Sequence, residues 1–267
     1  MDGHPRKAYA DAAKAQRTSM PRNALIARLE RYTDLTTGER AAILEAGDGH
    51  QRFATGDRLI DENAPNQYLY IVEDGWLHAS RDLVSGARQI LRLHYPGDLV
   101  GTSSIAWARA STTLTALSPV EVTPVPKVAL GRLFKAQPRL AALLYAVAAA
   151  EDVAMSDRLT SLGRTNAVER LATLLLDMLA RLRLSRDGAV DTIDLPLTQS
   201  EIGDALGLTS IHVNRTFRTM ETRGMIVREG RRVRLPNEAA LTAMVGFVDR
   251  YETVATDWLP APEPIAA

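Results

Sequence analysis

A set of hydrogen-bonding side chains lies between positions 198 and 231 of the chain. Arginine can donate two hydrogen bonds to a guanine and asparagine can pair with an adenine, each worth about 1–3 kcal/mol of base discrimination. We therefore predict contacts with base edges and phosphates, led by Arg215 and Asn214, with Thr198 and Gln199 on a phosphate. The full set of predicted DNA contacts is Thr198, Gln199, Thr209, Ser210, His212, Asn214, Arg215, Arg218 and Arg231.

Two helices and a hairpin would bring these side chains to one surface. Residues 198–201 (Thr-Gln-Ser-Glu) have the form of a capping box and predict the start of a helix. Gly207 would end this helix, and Thr209 would cap the next one. A hairpin around Gly230 would form a basic wing with its arginines along the nucleic-acid backbone. This order over Leu195–Leu235 predicts a winged helix-turn-helix that binds double-stranded DNA.

The charge of the chain is distributed unevenly along the sequence. The formal net charge is zero, from 32 basic and 32 acidic residues. Between Gly207 and Leu235, however, seven arginines stand against two glutamates, which gives a local charge of +5. Such a basic segment is typical of a nucleic-acid surface, although any one of its arginines could equally be a solvated surface charge.

The composition is that of a globular protein with room for two domains, since 267 residues exceed what one hydrophobic core normally fills. The sequence has no cysteine, which excludes disulfides, cysteine-ligated zinc and iron–sulfur clusters. No apolar run approaches the roughly 20 residues of a membrane span, and no signal peptide is recognisable. We therefore expect a cytoplasmic protein that does not bind membranes.

Residues 1–20 are expected to form a flexible leader, with a basic arm on DNA as the alternative. Residues 21–137 combine short helices with seven β-like segments between glycine-containing turns, which predicts an antiparallel sandwich or roll. The predicted strands are Gln51–Ala54, Arg58–Asp61, Gln67–Glu73, Trp76–Arg81, Arg88–His94, Thr112–Leu117 and Val120–Val125.

A long helix and a hinge are predicted over residues 138–164, with the helix running for about 37 Å from Pro138 to about Leu162. Its broad apolar stripe predicts the seam of a homodimer, and the alternative is a helix packed wholly inside its own domain. The stripe consists of Leu140, Leu144, Val147, Ala148, Glu151, Ala154, Met155, Arg158 and Leu162. The DNA-binding domain is expected over residues 165–237, and residues 238–267 are a C-terminal tail.

From about Leu25 to Asn237, the chain resembles the CRP/FNR family of bacterial transcription regulators. The similar stretches are residues 70–76 (YIVEDGW), 96–101 (PGDLVG) and 197–216 (LTQSEIGDALGLTSIHVNRT). The resemblance implies an α+β fold with an N-terminal antiparallel β-roll of the cyclic-nucleotide-binding jelly-roll type. A long dimerisation helix and a C-terminal winged helix-turn-helix would follow.

The resemblance also implies a homodimer that reads a palindromic site, with Arg215 reading a guanine and RNA polymerase as a further partner. One position departs from the family pattern. Many members have a glutamate where this chain has Ile211, and isoleucine cannot accept a hydrogen bond from the amino group of a cytosine. The half-site sequence is therefore left open.

The family's ligand signatures are incomplete in the predicted β-roll. Cyclic-nucleotide-binding members have Gly-Glu-Leu and Arg-Ser or Arg-Thr where this chain has Gly-Thr-Ser at 101–103 and Ala-Ser at 110–111. The weak ligand-binding candidates are Gly101, Thr102, Ser103, Arg109 and Ser111. Cyclic AMP is therefore not expected to bind.

No cofactor or metal is predicted, while an unidentified small-molecule effector stays possible. Haem would need an axial ligand such as His78 or His94, and a lone histidine on a strand is more often structural. Haem is therefore not expected either.

Two other classes of function compete with a DNA-binding regulator. A ligand-binding or protein-interaction module would bind a small molecule or a partner without a DNA footprint. An enzyme is disfavoured because the sequence shows no nucleophile–base pair, no histidine-rich metal spacing and no phosphate-binding glycine loop.

Overall fold

The computed structural model describes residues 23–185 and 190–262. The leader predicted for residues 1–20, and the alternative of a basic arm, lie outside the described residues. Within the described part, no helix has the length and apolar character that a membrane crossing requires.

Eight strands form an antiparallel β-roll. They are β1 (Gln51–Phe53), β2 (Arg58–Ile60), β3 (Tyr68–Asp74), β4 (Leu77–Asp82), β5 (Arg88–His94), β6 (Leu99–Val100), β7 (Thr113–Ala116) and β8 (Val120–Pro126). One sheet has the strand order β1-β8-β3-β6 and the other β2-β7-β4-β5. Buried side chains such as Val72, Leu77 and Val122 form the core of the roll. The predicted antiparallel roll is confirmed, and the sequence missed β6 because two residues are too few to show alternation.

Among the described residues, four helices pack beside the roll: α1 (Ala24–Leu29), α2 (Thr37–Ala46), α3 (Lys127–Ala136) and α4 (Pro138–Arg164). Thr36 and Glu39 form a capping box that starts α2. The four helices and β3 share a second core, in which Leu29, Leu140 and Leu143 are fully buried. Since α4 has 27 residues, it extends from this core to the DNA-binding half of the chain.

The stripe of α4 that we predicted as a dimer seam faces mainly its own protomer. Leu140 and Val147 belong to the core with α1–α3, and Glu151 accepts a hydrogen bond from α1. The exposed apolar side chains of α4 include Tyr145 and Leu159, which are 74% and 71% exposed. The predicted stripe is therefore wrong as a dimer surface, because a helix lying across two domains uses its broadest apolar face to cover them.

The DNA-binding half contains α5 (Ala167–Ser185), β9 (Thr192–Asp194), α6 (Gln199–Leu206), α7 (Ser210–Thr222), β10 (Val227–Glu229), β11 (Arg232–Arg234) and α8 (Glu238–Val245). Asn166 caps α5 by accepting hydrogen bonds from the N–H groups of Val168 and Glu169. Leu175, Phe217 and Val233 lie in the core of this half. That core also includes Ile90 of β5, so the two halves of the chain are packed against each other.

Residues 238–262, which were expected to belong to a C-terminal tail, are structured. Glu238, at the start of α8, pairs with Arg183 through two hydrogen bonds of 2.8 and 2.7 Å. The following residues, 246–262, are here called the C-terminal segment. Tyr251 in this segment is 7% exposed, and its carbonyl oxygen accepts a hydrogen bond of 3.0 Å from the hydroxyl of Tyr32. The chain thus returns from the DNA-binding half to the half that contains the β-roll and α1–α3, here called the sensor half.

A buried charge cluster, formed by Arg28, Asp98, Glu151 and Arg181, connects α1, the turn after β5, α4 and α5. Arg28 donates to Asp98 at 2.6 Å and to Glu151 at 2.8 Å, and Arg181 also donates to Asp98. Burial alone would raise the pKa of Asp98, but the guanidinium groups of Arg181 and Arg28 hold that pKa well below its usual range. The cluster is therefore ionised at neutral pH.

His78 of β4 is fully buried, and neither ring nitrogen has a hydrogen-bond partner among the described residues. Burial and the nearby positive charge of Arg88 lower the pKa of His78 to about 4. The unfolded chain, with a histidine pKa of about 6.5, binds a proton that the folded chain does not bind until the pH is near 4. His78 therefore lowers the free energy of unfolding as the pH falls through this interval.

We predict that His78→Leu makes the protein less sensitive to acid, because the imidazole that resists protonation is removed. When the pH falls from about 7 to about 5, the parent should lose about 2 kcal/mol more free energy of unfolding than the variant loses. Urea denaturation at each pH measures this difference. The exposed His50→Leu is the control, and equal pH slopes for His78→Leu and the parent would contradict the prediction.

Candidate nucleic-acid interface

The helix-turn-helix begins with the predicted capping box. The hydroxyl oxygen of Thr198 accepts a hydrogen bond from the N–H of Glu201, and the Glu201 carboxylate accepts one from the N–H of Thr198 at 2.7 Å. The Thr198 hydroxyl also donates to this carboxylate at 2.8 Å. The Thr198 side chain therefore fixes the start of α6. The contact of Thr198 and Gln199 with a phosphate stays a prediction.

The turn between α6 and α7 depends on two glycines. Gly207 ends α6 with a positive φ of 67°, a conformation that glycine adopts without a Cβ penalty. A Cβ atom on Gly203 would lie 2.4 Å from the carbonyl oxygen of Leu208, so a larger residue would push the turn away from α6. Thr209 then caps α7 by accepting a hydrogen bond of 3.2 Å from the N–H of His212.

Helix α7 has one buried face and one exposed face. Val213, Phe217 and Met220 are at most 1% exposed and pack in the core of the DNA-binding half. The other face carries predicted DNA contacts. Asn214 is half-buried there, and the exposed residues are Ser210, His212, Arg215 and Arg218, together with Thr209 just before the helix. The amphipathic pattern of α7 thus turns the polar residues outward.

A shallow groove, here called the recognition groove, runs between the start of α6 and the exposed face of α7. Its lining residues are Gln199, Ser210, Ile211, Asn214, Arg215 and Arg218. Within the described parts of the chain, the guanidinium groups of Arg215 and Arg218 make neither a hydrogen bond nor an ion pair. Five of the predicted DNA contacts therefore lie together, and Ile211 stands among them with 74% of its surface exposed.

The wing is a three-stranded antiparallel sheet with the order β10-β11-β9. Arg231 lies at its turn, and its Nε donates a hydrogen bond of 2.8 Å to the carbonyl oxygen of Leu195. Part of the Arg231 guanidinium therefore holds the wing to the residues before α6, and the contact of Arg231 with DNA stays a prediction.

The other wing arginines differ in their surroundings. Arg228 lies 4.8 Å from the centre of the Phe217 ring and forms an ion pair of 3.3 Å with Glu221. Aromatic and acidic neighbours on α7 hold Arg228 in place, and its contact with a nucleic-acid backbone stays a prediction. Arg232 and Arg234 are exposed on the wing. Sequence spacing could not distinguish Arg228 from Arg232 and Arg234, because all three alternate along one short hairpin.

In the β-roll, the weak ligand-binding candidates form a group of hydroxyls. Gly101, with φ of 85°, leads into a short 3₁₀ turn at Thr102–Ser104. The N–H of Ser111 donates to the hydroxyl oxygen of Ser104 at 3.0 Å, and the Ser111 hydroxyl donates to that of Ser103 at 3.2 Å. The structure thus brings these candidates together, with the hydroxyls bonded to one another.

Two cationic side chains near this cluster of hydroxyls donate hydrogen bonds to backbone carbonyls. Arg109 donates to the carbonyl oxygen of Asn63 at 2.7 Å, and Lys127 donates to those of Ser104 and Trp107, both at 2.8 Å. The sequence analysis missed Lys127, because the residue lies where β8 meets α3, outside any motif. Both positive charges are therefore held by the fold.

The two histidines considered for haem are buried. His94 is 8% exposed, and its Nδ1 lies 3.4 Å from the carboxylate of Asp98 in the buried charge cluster. Over residues 23–185 and 190–262, histidine, aspartate and glutamate side chains form no group of three that could hold a metal ion.

Comparison with known sequences places a domain on each half of the chain. Residues 50–137 match the family model of the cyclic nucleotide-binding domain. Residues 169–244 match that of the Crp-like helix-turn-helix domain. The second match includes α8, which the sequence analysis had placed in the tail.

Similar proteins are transcription regulators by name. The nitrogen fixation regulation protein FixK of Bradyrhizobium diazoefficiens is 33% identical over 174 residues, which cover 65% of this chain and 72% of FixK. The transcriptional activator protein FnrA of Stutzerimonas stutzeri is 28% identical over 191 residues, which cover 72% of this chain and 78% of FnrA. The solved structure of FixK2 from Bradyrhizobium japonicum matches with a TM-score of 0.66 and 30% identity, over 73% of this chain and 96% of that chain.

A winged helix with an open basic recognition groove, joined by a long helix to a cyclic-nucleotide-binding type of β-roll, defines a DNA-binding transcription regulator. The chain belongs to the CRP/FNR family of bacterial transcription regulators. The predicted fold and function are thus confirmed. The alternative of a module that does not bind DNA is not supported, and the relatives are regulators rather than enzymes.

Proposed function

We propose that this regulator binds a palindromic DNA site as a homodimer, with the exposed face of α7 in the major groove. The observation that carries the proposal is the recognition groove, where Arg215 and Arg218 project beside Gln199 with no partner among the described residues. Contacts with DNA would therefore replace only water. The protein acts in the cytoplasm, where bacterial chromosomal DNA lies, and RNA polymerase as a further partner stays a prediction.

Each residue of the groove has a chemically suited target. Arg215 can donate two hydrogen bonds to a guanine and Asn214 can pair with an adenine, whereas Arg218 and Gln199 suit phosphates. Smaller contacts to bases or phosphates come from Thr209, Ser210 and His212. On the wing, the exposed Arg232 and Arg234 supply backbone contacts together with the free part of Arg231.

Ile211 gives the groove an apolar centre. An exposed aliphatic side chain between hydrogen-bonding neighbours suits the methyl group of a thymine, which projects into the major groove. The half-site should therefore contain a thymine at the position where members with a glutamate read a cytosine.

The exposed side of α4 is the surface that we assign to the dimer. Small residues recur there at seven-residue intervals, at Ala149, Ser156 and Gly163, beside the exposed Tyr145 and Leu159. A Cβ on Gly163 would meet no atom within 4 Å in its own chain, so the protomer itself does not require a glycine there. A seven-residue repeat of small side chains allows a second α4 to approach closely.

We predict that Arg215→Ala weakens specific DNA binding, because the guanine loses its bidentate partner. Affinity for the site recovered by in vitro selection should fall by roughly 5- to 150-fold, corresponding to about 1–3 kcal/mol, as measured by fluorescence anisotropy at fixed salt. Arg132→Ala, which removes an exposed arginine from α3, should leave the affinity unchanged. An equal loss on random-sequence DNA would show that Arg215 contributes charge only.

We predict that Leu159→Glu shifts the protein toward monomer, because it places two like charges on the close-approach surface of α4. Sedimentation velocity at micromolar concentration measures the change. Val128→Glu is a matched control, since Val128 is 69% exposed on α3 and lies off this surface. A dimer of unchanged stability in Leu159→Glu would exclude the assigned surface.

We predict that cyclic AMP does not bind the β-roll, because Arg109 and Lys127 are bonded to carbonyls and the ribose-binding glutamate of the family pattern is a threonine. Calorimetric titration with cyclic AMP to about 1 mM should give only dilution heat. This result would indicate a dissociation constant above about 1 mM, which corresponds to a binding free energy weaker than about −4 kcal/mol. Saturable heat would contradict this prediction.

A further inference from the structure

A cavity of about 220 Å³ lies where the sensor half meets the DNA-binding half. Its walls come from β5, α4, α5, the end of α6 and the C-terminal segment. Leu93, Met155, Leu174 and Phe247 supply much of the apolar surface. The cluster of serine hydroxyls in the β-roll, within residues 101–111, does not contribute to the lining. This junction cavity is therefore separate from the family's ligand position.

Positive charge predominates in the lining of the junction cavity, which contains five arginines and three acidic residues. Two of the acids are paired there, Glu151 with Arg92 and Asp157 with Arg250. The third is Asp177, whose pKa is raised by burial against the opposing effect of the nearby Arg181 and Arg158.

Arg158 has no carboxylate within salt-bridge distance in the described structure. Its Nη2 donates to two backbone carbonyls, of Ile90 at 3.1 Å and of Ala205 at 3.0 Å. Burial lowers the pKa of Arg158 against the opposing effect of Asp177, which expresses the cost of holding a guanidinium away from water without a direct ion pair. An anion in the cavity would reduce that cost.

Two further polar atoms of the lining residues have no partner. Tyr95 is 1% exposed and its hydroxyl makes no hydrogen bond to any described residue. Arg181 is 3% exposed, and its Nη1 makes none either, since it lies 4.0 Å from the carboxylate of Glu151, beyond hydrogen-bond distance. Buried donors without acceptors are rare in native proteins, because each costs about 1–3 kcal/mol. Both donors belong to residues that line the cavity.

We propose that the junction cavity is a binding site for a small organic anion, whose carboxylate accepts hydrogen bonds from Tyr95 and Arg181 near Arg158 and whose apolar part lies against Met155 and Phe247. The volume is below the roughly 300–1,000 Å³ of sites for drug-sized ligands, so the ligand is of the size of a simple metabolite. Such a ligand contacts the sensor half, the long helix and the DNA-binding half at once.

Isothermal titration of the full chain, without DNA, tests this site independently of the proposed mode of DNA recognition. The probes are acetate, hexanoate and phenylacetate, each to about 10 mM, which nearly saturates a site with a millimolar dissociation constant. Phenylacetamide is the neutral counterpart of phenylacetate. We expect hexanoate or phenylacetate to bind more tightly than acetate, and phenylacetamide to bind more weakly than phenylacetate.

Two variants locate the site. Tyr95→Phe removes a hydroxyl that makes no bond in the described structure, so folding should be preserved, and it should weaken the preferred carboxylate roughly tenfold. Met155→Trp should block the cavity by filling it. Tyr70→Phe makes the same atomic change in the β-roll and should leave binding unchanged. No binding of any probe, equal binding of the amide, or unaltered binding by Tyr95→Phe would overturn the proposal.

Discussion

The arrangement of the two halves of this regulator depends on the buried charge cluster of Arg28, Asp98, Glu151 and Arg181. These residues belong to four different elements and bury two positive and two negative groups. Burying such charges is costly, and the cost is offset only while every group keeps its partners. Apolar surfaces can shift past one another at little cost in free energy, whereas the short ion pairs of this cluster form only in one geometry. It therefore defines how α5, and with it the DNA-binding half, sits on the sensor half.

Other contacts extend this arrangement toward the helix-turn-helix. Arg88 of β5 pairs with Asp204 of α6 at 2.8 Å, and Arg158 of α4 binds carbonyls on both β5 and α6. The inner side of α6 is thereby attached to the sensor half, while the exposed face of α7 takes no part in the junction. The same frame that fixes the DNA-binding half thus leaves its recognition groove open to solvent.

Local features of the fold could be predicted from the sequence, because their causes lie within a few residues. The capping box at 198–201, the glycine at 207 and the alternation of the β-roll strands are of this kind. Long-range choices could not be predicted. Which face of α4 lies inside depends on partners more than 100 residues away, and Arg228 differs from Arg232 only through its neighbours on α7. Of the predicted site, α7 was found as expected, whereas the hydrogen bond from Arg231 to Leu195 required the tertiary structure.

The return of the C-terminal segment to the first helix has a kinetic consequence. The hydrogen bond between Tyr32 and Tyr251 joins residues 219 positions apart, and contacts of such separation close large loops and form slowly. During synthesis the β-roll emerges and can fold long before residue 251 is available. The interface between the two halves is therefore completed last, and a chain shortened by about 20 residues at its end would lose the outer wall of the junction while keeping every strand of the roll and the wing.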